Sequence, residues 1–177
     1  MSDQELSGVL DKLEKTQKES AKNKAQAVKT EDAWVVKFDK LKHDVIRPAL
    51  DALGQKVRAR EHDYNIVETA FNRSDNRALP IESAIRIDIY LNNERTRTII
   101  GQDRRPHLAF TTHHRSQMVQ VTICDITSRG GVASKIGDFP LDKIDAAFIK
   151  EKFVALFKRL LAQQPGATSP GRRPGTR

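Results

Sequence analysis

The sequence predicts an α+β domain. It consists of an antiparallel meander of about five strands, with a long N-terminal helix and a C-terminal helix packed on one face, preceded by a helical N-terminal arm. Three observations carry this. Residues 84–91 alternate strictly, with Ile85, Ile87, Ile89 and Leu91 set against Arg86, Asp88 and Tyr90. Successive side chains of a strand point to opposite faces, so this stretch has one apolar and one polar side. The strand-like stretches follow one another through short turns, which suits antiparallel pairing, whereas parallel pairing needs long crossovers. Two flanking segments, about 32–60 and 142–162, repeat apolar residues at three- and four-residue steps. Only one face of the sheet is apolar, so both helices are expected on that face.

Taken in order, residues 1–31 form a charged arm. Lys12, Lys15, Lys18, Lys22, Lys24 and Lys29 balance Asp3, Glu5, Asp11, Glu14, Glu19 and Glu31, so the arm contributes no net charge. Leu6, Val9, Leu10 and Leu13 follow helical spacing, Ala21, Ala25 and Val28 extend it faintly, and good helix formers dominate. Two readings stand side by side: a short coiled-coil arm for self-association, and a fraying, partly disordered extension. Asp32 is placed to cap a second helix carrying Trp34, Phe38, Leu41, Val45 and Leu53 or Val57, thickened by Ile46, Ala49 and Leu50. Pro48 is expected to kink that helix or to start a new one, because it removes a donor and clashes with the preceding turn. Gly54 weakens its later turns.

The strands are expected at 63–71, 84–91, 94–100, 107–112, 118–126 and, as a short final piece, 132–139. Residues 72–83, rich in Asn, Asp and Ser, form a loop. Asn92 and Asn93 suit a tight turn because asparagine tolerates the left-handed region. Leu108 and Phe110 share one face, as do Val119, Val121 and Ile123, and Ile136 points inward. Asp142 or Asp145 caps the last helix, whose apolar stripe holds Phe153, Leu156, Phe157, Leu160 and Leu161. From 163 to 177 repeated Pro and Gly with Arg172, Arg173 and Arg177 predict a disordered basic tail. The domain itself is expected to span 32–162.

Composition narrows the function classes. The 177 residues carry a formal charge of +8, which favours polyanionic partners such as nucleic acid or anionic lipid. No apolar run reaches the roughly 18 residues that cross a bilayer, and no signal peptide opens the chain. No membrane association is therefore expected. The lone Cys124 cannot form an internal disulfide and falls in a strand, where it reads as a small buried hydrophobe. A reducing, cytoplasmic setting is expected. The spacing of His107, His113 and His114 lacks the pattern of a zinc site, and no P-loop, nucleophile elbow or dinucleotide fingerprint occurs. No metal, no cofactor and no catalytic residue is assigned, and the balance leans away from an enzyme. The informative cluster is cationic: Arg86 and Tyr90, with Arg95, Arg97, Arg104, Arg105 and Arg115 around the following turns, are the candidate binding residues. The expectation is a self-associating interaction or adaptor protein working through that arginine-rich face. The alternatives are a nucleic-acid-binding module using the same arginines on phosphate groups, and a small-molecule binder or enzyme with a pocket between helices and sheet.

Overall fold

One helix, α1, runs from Asp3 to Leu41 and gives way to a π-helical turn at Lys42–Ile46 and then to α2, Arg47–Arg58. This computed structural model describes residues 3–73, 79–92, 105–126 and 132–163. The expected helix start at Asp32 is corrected, since the helix passes through that residue without interruption. A mid-helix Asp costs only a few tenths of a kcal/mol against a long run of good helix formers. Its carboxylate is used elsewhere, accepting from Arg73 Nη2 at 3.0 Å. Pro48 behaves as its chemistry requires. It lies in the first turn of α2, where its missing N–H is no loss. The π turn before it carries the ladder across, with the Arg47 N–H bonding back to the Lys42 carbonyl.

The sheet is a five-stranded antiparallel meander in the order β1 (Asp63–Thr69), β2 (Ala84–Tyr90), β3 (His107–His113), β4 (Met118–Cys124) and β5 (Ala133–Phe139). The expected strand at 94–100 lies outside the described residues, as does the tail from 164 onward. The first strand is shorter than expected: Phe71 lies beyond it, although the pairing continues as an isolated bridge from Asn72 to Ile81. Asn92 takes the left-handed conformation, φ 54°.

Register sorts the faces. Ile85 pairs with Phe110, which pairs with Val121, and Ile87 pairs with Leu108, which pairs with Ile123. All six side chains are fully buried. α3 (Ala146–Ala162) starts at Asp145, whose carboxylate accepts from the Phe148 N–H at 2.7 Å. α2 rests on β1 and β2, α3 on β3 and β4, and the two helices touch each other. Ile46, Leu50 and Val57 meet Ile149, Phe153, Leu156 and Leu160 in one core with that sheet face. Glu68 falls on the same side of β1, at its edge, where Arg47 of α2 pairs with it. The opposite sheet face carries Arg86, Asp88 and Tyr90.

Candidate interaction surfaces

Two surfaces stand out: the open sheet face and the free length of α1. On the open face, Arg86, Tyr90, Arg105 and Arg115 are described, whereas Arg95, Arg97 and Arg104 lie outside the described residues. Tyr90 and Arg105 meet at one end of the sheet, and Arg86 lies further along β2, paired with Ala109. Arg86 Nε lies 3.1 Å from Asp88 Oδ1. Arg105 donates to the Tyr90 hydroxyl at 2.8 Å and its guanidinium lies 4.8 Å from that ring's centre. Arg115 is at the other end of β3, in the turn to β4, and is not part of this group. Seven residues of strand, about 3.4 Å each, separate the two ends. Arg73 instead holds α1.

The same lateral row brings Asp88, His107 and Cys124 into register across β2, β3 and β4. An Asp–His–Cys row invites a nucleophilic reading, but its chemistry points the other way. Cys124 is fully buried, and burial pushes its thiol pKa up, so the thiolate is disfavoured. His107 donates from Nδ1 to the Arg105 carbonyl at 2.8 Å. Asp88 is 3% exposed, and burial raises its pKa above 3.8, opposed by the charges of Arg86, His107 and Arg105. Among the described residues no group of three or more His, Cys, Asp or Glu side chains converges to hold a metal ion. No helix among them is long and apolar enough to cross a membrane.

Charges on the described open face balance. Arg86, Arg105 and Lys135 stand against Asp63, Asp88 and Asp138, and Lys135 pairs with Asp138 at 2.6 Å while Arg58 reaches across to Asp63 at 3.0 Å. The Arg86–Asp88 and Lys135–Asp138 pairs lie within single strands and Arg58–Asp63 joins α2 to β1, and the exposed ones are worth tenths of a kcal/mol to about 1 kcal/mol each.

α1 differs. Every described side chain from Lys12 to Thr30 is exposed, and Glu31 is the first to be partly covered. The helix is gripped just there. Arg73 donates to Glu31 at 3.1 Å and to Asp32 at 3.0 Å. His114, nearly buried, donates from Nδ1 to Glu82 at 2.6 Å, and its Nε2 lies 3.9 Å from Glu31. Glu82 also accepts from the Thr112 hydroxyl at 2.7 Å. About three turns further on, Lys42 is buried with Nζ 2.9 Å from Asp39 and 3.2 Å from the Ser83 hydroxyl, which in turn donates to Asp39 at 2.7 Å. Sequence reasoning missed both polar anchors, because they join partners far apart in the chain, such as Glu31 with Arg73 and His114, and Asp39 with Ser83. Beyond the grip, Leu10 and Leu13 are 50% and 54% exposed and Val28 is 37% exposed. Two shallow hollows run along this stretch, one lined by Thr16, Glu19, Ser20, Asn23, Lys24 and Ala27. Both are furrows between side chains of one helix. No family model matches the chain, and neither the curated proteins nor the solved structures yield a match.

Proposed function

We propose that this chain is a non-enzymatic interaction protein that self-associates through the free length of α1. The carrying observation is that residues 12–30 of a helix anchored at Glu31 stand clear of the domain while Leu10, Leu13 and Val28 face solvent on one side. At 100° per residue these three fall in the same sector as Val35 and Phe38, which are buried in the core. The apolar stripe of the domain therefore runs on into the arm and lacks a cover there among the described residues. In proteins most helical stability comes from tertiary packing of an apolar face rather than from propensity.

A second copy of the chain suits that face. The arm is electrically balanced, so two copies meet without net repulsion. Leu10, Leu13 and Val28 are 50%, 54% and 37% exposed, so completing their burial in each of two copies supplies about half of the 1.5–3 kcal/mol that a fully exposed side chain gives. Association costs about 4–15 kcal/mol, so these six side chains support a weak dimer rather than a permanent one. On this reading the working surface shifts from the ion-paired sheet face to α1. The test is helical content against protein concentration by circular dichroism. Helicity is expected to rise with concentration as arms find partners, and a flat profile from sub-micromolar to 100 micromolar contradicts the reading.

A further inference from the structure

The charge balance of the arm hides a separation that appears only once α1 is known to be a single unbroken helix. At 100° per residue, Lys15, Lys18, Lys22, Lys29 and Lys40 fall within a sector of about 60°. Every one of these lysines is exposed. The sector also holds Asp11. Glu14, Glu31, Asp32 and Asp39 lie outside it, toward the side that carries Leu10, Leu13 and the buried Phe38. Within the helix, Lys18 has an acidic partner in Glu14 at 3.6 Å, and both side chains are more than two-thirds exposed, so this pair neutralises little. From Lys15 to Lys40 the ridge is about 37 Å long, 25 residues at 1.5 Å each. The domain packs on the opposite side of the helix, through Phe38 and Val35, and leaves the ridge unobstructed from end to end.

We infer that this ridge is a docking surface for the phosphate backbone of a nucleic-acid duplex, bound without regard to sequence. Three features choose this occupant. A row of cations extended along one unbroken helix matches an extended, stiff polyanion. The ridge offers no described aromatic side chain for unstacked bases, since Trp34 is buried in the core, and single strands are gripped by stacking. A bilayer needs apolar insertion beside the lysines, and Val36, 67% exposed, is the large hydrophobe on this side. The leucines point away, and lysine on a phosphate acts as a point charge that positions rather than reads. The ridge is independent of self-association, because it faces away from the apolar stripe.

The test is fluorescence anisotropy of the full chain with a labelled duplex DNA of arbitrary sequence, titrated at 50 and at 200 mM salt. Five lysine–phosphate contacts give a slope of log K against log salt of about −4.5, or about a 500-fold loss over that fourfold range. Replacing Lys15, Lys22 and Lys29 together by Gln, a residue of similar helix propensity, is expected to bring the slope to about −1.8 with helicity unchanged. Leu10→Asp with Leu13→Asp is expected to leave the slope intact, which separates this inference from self-association. The inference is overturned if the wild type does not bind at 50 mM salt. It is overturned equally if Arg172→Gln with Arg173→Gln abolishes binding while the lysine variant does not, or if phosphatidylserine vesicles are captured and the duplex is not.

Discussion

Residues 12–30 and residues 34–57 belong to one helical run with the same kind of apolar spacing, yet their surroundings are opposite. In the second stretch Trp34, Phe38, Ile46, Leu50 and Val57 are buried against the sheet and α3. In the first, every side chain is exposed. The boundary is not a change in helix propensity. It is a change in what the rest of the chain brings alongside, marked by the grip of Arg73 and His114 on Glu31 and Asp32. The lesson is that a periodic stripe fixes which side of a helix is sticky, whereas the tertiary fold decides how much of it is satisfied.

The largest test of this contrast compares two substitutions of similar chemistry. Phe110→Ala is expected to cost about 3–5 kcal/mol in urea unfolding because it opens a cavity in the fully buried core. Leu13→Ala, in the exposed stretch, is expected to change unfolding of the monomer by no more than about 0.5 kcal/mol. Similar losses at both sites would mean that the arm is already covered within one chain. At the boundary itself, Glu82→Ala removes the acceptor of both His114 and the Thr112 hydroxyl. The Thr112 hydroxyl keeps the Ser83 carbonyl as an acceptor, so losing the acceptor of the buried His114 ring is expected to account for a cost of about 1–3 kcal/mol, read by the same unfolding assay.

Within the buried half, Gly54→Ala sharpens the comparison. Helix propensity alone favours alanine by about 1 kcal/mol. A Cβ there would sit 2.4 Å from the Tyr64 ring, however, and overpacking costs about 1–3 kcal/mol. Net destabilisation is expected, and a gain in stability would show that Tyr64 moves aside freely. The smallest effect is expected on the sheet face. Burial raises the pKa of Asp88 above 3.8, so the folded state holds that proton more tightly than the unfolded chain does. Stability contributed by the protonated form is therefore lost as pH rises above 3.8. Relative to Asp88→Asn, the wild type is expected to lose stability with rising pH through this window. The opposite slope would mean that the Arg86 pairing dominates burial.

Much of the domain was legible in the sequence. Ile85, Ile87 and Ile89 are the floor of the core as their alternation requires, Asp145 is a cap, and the meander follows from short turns between strands. What was not legible depends on distance in sequence. Asp32 reads as a cap because its local chemistry suits one, and only Arg73, far along the chain, shows why it sits mid-helix. Gly54 reads as a weak point until Tyr64 is seen against it. Among the candidate site residues, clustering in sequence placed Arg105 and Arg115 together, but a strand runs between them and carries them to opposite ends of the sheet. The lysine ridge was concealed by arithmetic, since counting charges over residues 1–31 gives zero while the helix sorts them by side.

The central claim is that α1 joins two copies through its exposed leucines. Sedimentation equilibrium of the full chain over rising concentration tests it most directly. The account predicts a mass climbing from 20.0 kDa toward twice that value, and a return to 20.0 kDa in the Leu10→Asp, Leu13→Asp variant at the same concentrations. A wild type that stays at 20.0 kDa throughout, or a dimer that the variant leaves intact, would contradict it.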